Sequence, residues 1–261
     1  MENTSKIFDV IVIGAGVMGS STAYQTAMRG LNTLLLDQFD FLHHRGSSHG
    51  ESRTIRATYP EDYYSNMVLE SSRLWEKAEA DIGYKVYFKT IHFDMGPSDD
   101  KSLRAVISSC KKNSIPVRVL NHHQVYEEFS GMLELQRDWI GVVTEHGGVI
   151  KPTKAVAMFQ TLAVKNDPNG PVMTQSCMYT MTPDADFVID FVGGDFGKDL
   201  VVGGGFSGHG FKMAPVVGRI LADLVTVGEA KGVDLNYFSI ERFKGNPAGN
   251  VKDFKDEVNP H

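Results

Sequence analysis

The sequence predicts an α/β fold, and three observations carry that expectation. The run Ile7 to Ile13 is apolar and β-branched almost throughout, a glycine-punctuated turn follows it at once, and a second apolar run, Thr33 to Leu36, ends on Asp37 after an intervening helix pattern. Strands that read as continuous apolar runs are those buried on both faces, as in parallel sheets covered by helices. Composition agrees: 42% of the 261 residues are hydrophobic and 22% charged, enough for a sizeable core. A net charge of −6 without any dense basic run argues against a nucleic-acid partner. No apolar run approaches membrane-spanning length. Two cysteines, Cys110 and Cys177, make no disulfide framework and point to a reducing compartment. The first residues lack the pattern of a secretory leader, and the final Asn-Pro-His is not a peroxisomal address. The expectation is a soluble intracellular protein, cytoplasmic or peroxisomal.

The first elements form one unit. After the Ile7–Ile13 strand comes Gly14-Ala15-Gly16-Val17-Met18-Gly19, then a helix closed by Gly30, then the second strand and Asp37. That order is what a dinucleotide site requires. Gly14 permits the tight turn, Gly16 lets the backbone approach a pyrophosphate, and Gly19 allows close helix–strand packing. Asp37 is placed to accept hydrogen bonds from an adenosine ribose, and an acid there favours a free 2′-hydroxyl. It does not separate FAD from NAD, since both carry that ribose.

Gly46-Ser47-Ser48-His49-Gly50 leads into Arg53 and Arg56. On a helical turn, residues three apart share a face, so the two arginines would converge on one anion. A solvated loop with ordinary surface arginines is the competing reading. His43, His44 and His49 lack metal-ligand spacing. Residues 63–82 read as a helix burying Met67, Leu74, Trp75 and Ala78, and residues 85–97 as a strand ended by Gly96-Pro97. Residues 99–113 read as a helix whose Leu103, Val106, Ile107 and Cys110 share a face, so Cys110 is expected in the core. His122 and His123 sit at a helix edge or on the surface. Residues 139–150 read as a hairpin, and a helix follows Pro152. Residues 166–171 read as a strong breaker. Beyond it, only Asp186–Ile189 and Leu200–Val202 remain to extend the nucleotide-binding sheet, which needs several more strands. The tail from Phe243 to His261 reads as loosely ordered.

The stretch from Cys177 to Lys212 carries the most chemistry. It holds a cysteine, a strand-like run and a glycine-rich turn with Gly208, His209, Gly210 and Lys212, followed by an amphipathic helix with Pro215 in its first turn. A helix N-terminus behind glycines, with a lysine beside it, favours an anion.

GAGVMG, LLLDQFD, GSSHGESRTIR, CMYTMTPDADFVID and GGGFSGHGFK, in that order, resemble the monomeric sarcosine oxidase family of flavin-dependent amine oxidases. The resemblance covers roughly residues 7–165 and 172–240. It implies a Rossmann-like FAD-binding domain with an antiparallel-sheet substrate domain, incomplete here. By segments this gives FAD-binding parts at 1–80 and 183–242, a substrate-domain remnant at 81–150, a helix, linker and attachment strand at 151–182, and the loose tail at 243–261. It implies oxidation of N-methyl or cyclic secondary amino acids to imines, with oxygen reduced to hydrogen peroxide. FAD would be attached covalently through Cys177, a step that needs a thiolate. The cofactor contacts it implies are Gly14, Gly16, Gly19, Asp37, Ser47, His49, Arg53, Cys177, Gly208, Gly210 and Lys212. Arg53, His49 and Lys212 would serve the chemistry at the flavin, while Arg56 and Lys212 would hold the substrate carboxylate. The family's pattern carries a long block that is absent between Lys165 and Pro171, so the chain resembles a shortened form. A catalytically inactive flavin-binding isoform is therefore a second reading, and a NAD-dependent dehydrogenase a third.

Overall fold

The computed structural model of the chain describes residues 7–39, 42, 43, 45–166, 173, 174 and 181–252. These fall into two compact units, one within Met1–Arg53, Ser71–Val86 and Ile150–Asn250, the other within Thr54–Glu70, Tyr87–Val149 and Val251–His261.

The first unit opens as expected, with strand β1 (Val10–Ile13), helix α1 (Val17–Ala27) and strand β2 (Thr33–Asp37). β1 and β2 are parallel, in register from Val10 opposite Thr33 to Ile13 opposite Leu36. The two-residue strand β7 (Met173–Thr174) pairs in parallel with the other edge of β2, so among the described residues β1 is an edge of this sheet. α1 packs against α5 (Pro152–Asn166) and α6 (Ala214–Val227). Its small side chains permit this: a Cβ at Gly218 of α6 would lie 2.5 Å from Ser21 Oγ of α1. The buried hydroxyls bond within the helix, Thr22 Oγ1 donating to Met18 O and Thr26 Oγ1 to Thr22 O, as the absence of water requires. Trp75, from the C-terminal part of α2 (Asp62–Ile82), packs against Phe159 with ring centroids 5.0 Å apart.

Two further strands of this unit depart from expectation. β8 (Val188–Phe191) and β9 (Val201–Gly204) pair antiparallel with one another, not with β1 or β2. The connection 192–200 is too short for the crossover that parallel neighbours need, and Gly193, Gly194 and Gly197 reverse the chain with positive φ. Of the tail expected to be loose, residues 253–261 lie outside the described residues, and the segment leading into them is anchored as far as Asn250. Asp190 Oδ2 accepts from Ser239 Oγ and Ile240 N–H, both at 2.9 Å. Arg242 and Asn250 both bind the buried carboxylate of Asp184.

The second unit is a sheet in which the long strand β6 (Trp139–Ile150) pairs with β3 (Arg53–Arg56), β4 (Tyr87–Pro97) and β5 (Arg118–Asn121). β5 runs antiparallel to β6. The hairpin expected at 139–150 is thus one uninterrupted strand. Its glycines serve close approach instead of a turn: a Cβ at Gly147 would lie 2.7 Å from His92 Cβ, and one at Gly148 would lie 2.6 Å from Phe88 O. Helix α3 (Lys101–Lys112) is capped by Asp100, whose carboxylate accepts from Leu103 N–H at 2.6 Å. Cys110 is fully buried, and burial pushes its thiol pKa up to about 11. Helix α4 (His122–Glu128) begins with a capping box between Asn121 and Gln124. Leu120, Val125, Leu135 and Val143 form a small core with Phe93, Phe129 and Trp139.

Among the described residues no helix is long and apolar enough to cross a membrane, and no three His, Cys, Asp or Glu residues gather as a metal site.

Candidate active site

One cavity of about 550 Å³, wholly within the first unit, gathers most of the residues the sequence singled out. It lies at the carboxyl end of β1, where ligands bind in open α/β sheets. Gly14, Gly16, Gly19, Asp37, Ser47, His49, Arg53, Gly208 and Gly210 all line it, from four separate segments of the chain.

The glycine turn is built by close approach. A Cβ at Gly19 would overlap the Gly14 carbonyl oxygen, and one at Gly16 would lie 3.0 Å from Ser48 Oγ. The Gly14 N–H donates to Leu36 O at 2.6 Å, tying the turn to the neighbouring strand. The Ala15 carbonyl accepts from Ser20 Oγ at 2.9 Å and Gln160 Nε2 at 3.1 Å. Helix α1 starts directly behind, so its first residues line the cavity and its dipole supplies the partial positive charge an anion needs.

Asp37 is buried. Its Oδ2 accepts from Ala15 N–H at 2.6 Å, and its Oδ1 lies 3.3 Å from His43 Nε2. A carboxylate has about four acceptor sites, so these bonds leave capacity for a sugar hydroxyl. Arg53 donates to the carbonyls of Ser47 and His49 at 2.9 and 2.8 Å, and its guanidinium sits 5.6 Å from the centroid of the Phe211 ring. This arginine pins the 46–50 loop to the cavity rim.

Two predicted residues stand elsewhere. Arg53 and Arg56 lie on strand β3, not on a helical turn, and positions three apart on a strand point to opposite faces. Arg56 donates to Thr58 O at 2.6 Å, lies 3.6 Å from Asp94 Oδ1 and sits over the Tyr59 ring. Asp94 is held below the usual carboxylate range by His92 and Arg56 against the opposing effect of burial. Lys212 is buried and does not line the cavity. Its carbonyl accepts from Ser71 Oγ at 2.6 Å and Trp75 Nε1 at 3.0 Å. The first turn of α6 is equally buried, with Ala214, Val216 and Val217 sealed from solvent. The helix start that opens on the cavity is therefore that of α1, not that of α6. Cys177 lies outside the described residues.

Sequence reasoning passed over Ser48, which accepts from Val17 N–H at 3.0 Å, and His43 beside Asp37. The first is signalled only by the polarity of its loop. The second reads in the sequence only as a histidine without metal-ligand spacing.

A parallel strand–glycine turn–helix–strand unit, with an acid ending the second strand and an anion-favouring helix start on a shared cavity, defines a dinucleotide-binding α/β protein. A family model described as FAD dependent oxidoreductase matches residues 9–167 and 166–224, and the chain belongs to that family. Membership decides the dinucleotide that Asp37 left open: the cofactor is FAD. The chain is 42% identical to a probable sarcosine oxidase of Arabidopsis thaliana, over an alignment of 400 residues covering 96% of each chain. It is 29% identical to the monomeric sarcosine oxidase of Bacillus sp. (strain B-0618), over 75% of this chain and 50% of that protein, so it spans half of that relative's length. The crystal structure of L-proline dehydrogenase from P. horikoshii superposes with a TM-score of 0.76 over 90% of this chain and 97% of that one, at 16% identity. That likeness speaks for the fold alone.

Proposed function

We propose that the chain is a sarcosine-oxidase-type amine oxidase acting on N-methyl or cyclic secondary amino acids. The observation that carries this reading is the identity with the Arabidopsis protein across both glycine-rich segments, which meet on one cavity. The residues around that cavity fit FAD. Gly16 and Gly19 leave room for nothing larger at the turn, the start of α1 faces the pyrophosphate, and Asp37 takes the ribose.

Flavin, when bound, supplies the two-electron acceptor that turns the amine into an imine and returns the electrons to oxygen as hydrogen peroxide. The chain's own contribution is placement. Arg53 and His49, joined by the Arg53 bond to the His49 carbonyl, would border the ring system. Gly208 and Gly210 give the backbone access from the other segment. Cys177 would anchor the flavin covalently, whereas Arg56 and Lys212, the pair expected to hold the substrate carboxylate, both stand away from the cavity and are not assigned that role.

A second reading, a flavin-binding form without turnover, is favoured by one fact. The alignment with the Arabidopsis relative runs over 400 residues, whereas this chain has 261.

Intact mass of the purified protein tests both. A gain matching FAD that survives denaturation and is lost in Cys177→Ala, together with peroxide formed from sarcosine or pipecolate, is the expected result. Protein with no flavin, covalent or dissociable, overturns the flavoprotein reading. Covalent flavin without peroxide selects the second.

A further inference from the structure

All four residues of β1, Val10, Ile11, Val12 and Ile13, line the cavity, and so do Val201, Gly203 and Gly204 of β9. Successive side chains on a strand point to opposite faces. Consecutive residues therefore line one cavity only along the strand's hydrogen-bonding edge. The cavity thus extends from the glycine turn along the edge of β1 that faces away from β2. No described strand pairs with that edge. Yet in doubly wound nucleotide-binding sheets the first strand is internal, flanked on both sides. Ile11 and Ile13 are 56% and 73% exposed, unusual values for apolar residues of such a strand. Leu221 and Val225 of α6 add further apolar wall.

What belongs there is indicated by the family match, whose two segments meet at residues 166–167, and by a 400-residue alignment drawn on a 261-residue chain. A block of the relative has no counterpart here, and its place in the chain order falls between β2 and β9. We propose that the β1–β9 slot is a strand acceptor, which binds in trans an extended apolar segment of a longer chain of the same family. The segment's chemistry follows from the slot. It lies parallel to β1, continuing the parallel β1–β2–β7 pattern, and it reads as a short Val- and Ile-rich run without charge, matching the wholly apolar β1 it lies beside. Its main chain pairs with the β1 edge, and Ile11, Ile13, Leu221 and Val225 receive its side chains. The glycine turn lies beyond the end of β1, so dinucleotide and strand do not compete.

The experiment uses the full chain as purified, and peptides tiling the block of the Arabidopsis relative that this chain lacks. One peptide is expected to bind saturably and to slow amide exchange at Ile11–Ile13 at least tenfold, while its scrambled version does neither. Ile11→Glu is expected to weaken that binding tenfold or more with exchange in α5 unchanged. The wild-type exchange measurement stands alone should the variant not fold. The proposal is overturned if no peptide protects β1, or if scrambled and native peptides protect it equally. It is also overturned if sedimentation shows the edge closed by a second copy of this chain that the peptide does not displace. None of these readouts depends on oxidase activity.

Discussion

At the scale of single residues, the site depends on glycines whose missing side chains are filled by other atoms. At Gly19 the neighbour is the Gly14 carbonyl, backbone that has nowhere to move. Gly19→Ala is expected to cost about 1–3 kcal/mol of stability, the usual range for overpacking, and to abolish flavin retention. Urea unfolding and flavin absorbance after gel filtration check the two parts. Gly16→Ala meets only the Ser48 hydroxyl, so it should lose flavin affinity with a smaller stability change. The contrast separates packing from ligand approach, and equal effects from both variants would contradict it. Cys110 makes the opposite point. It is sealed in the second unit, and burial raises its pKa to about 11, so under 1% of it would be thiolate at pH 8. Iodoacetamide applied to the folded protein should leave the Cys110 peptide unmodified until denaturant is added, as peptide mass mapping would read out.

Elements were legible where one local rule decided them. The β1–turn–α1–β2 unit combines an apolar run, glycines at fixed spacing and a terminal acid, and these fix one arrangement. Helix α3 likewise follows from its apolar spacing and its Asp100 cap. What was illegible depended on partners distant in sequence. Gly147 and Gly148 look like a turn, but the proximity of His92 and Phe88 makes them part of a strand. Arg53 and Arg56 meet or diverge according to whether their segment is helix or strand, and pairing with β6 settles that from outside the segment. The anchoring of residues 239–250 is another such case. Asp184 and Arg242 are far apart in sequence, yet they form a buried ion pair at 2.7 Å, and Asn250 N–H donates to the same carboxylate. These bonds outweigh the cost of burial and hold the Asp184 pKa at about 2. A folded-state pKa below the unfolded value means stabilisation that is present above about pH 4 and lost as pH falls through about 2. From neutral pH it is worth about 2 kcal/mol, roughly half of it gone by pH 3. Asp184→Asn, which leaves Arg242 without its anionic partner, should cost about 3 kcal/mol at pH 7. Denaturant unfolding should show that deficit shrink by about 1 kcal/mol between pH 7 and pH 3, and a deficit independent of pH would refute the linkage.

At the scale of the whole molecule, each compact unit is assembled from separate stretches of chain, whereas the cavity at the glycine turn draws on one unit only. Its walls come from residues 10–53, 153–156 and 201–225, so a flavin held there would join segments widely spaced in sequence and would meet the sheet built on β6 only at Arg53 of β3. A ligand present at a hundred times its dissociation constant stabilises the state that binds it by about 2.7 kcal/mol, or roughly a hundredfold in opening equilibria. That stabilisation should be confined to the unit holding the cavity. FAD added to the Cys177→Ala variant, where attachment cannot lock it in place, is expected to slow amide exchange in α1, β2 and the 46–50 loop by up to about a hundredfold, while β5, α3 and the middle of β6 exchange as before. Uniform protection across both units would mean that they open as one, and the cavity's confinement to the first unit would then lose its energetic meaning. Protection confined to β5 and β6 would place the flavin away from the glycine turn altogether.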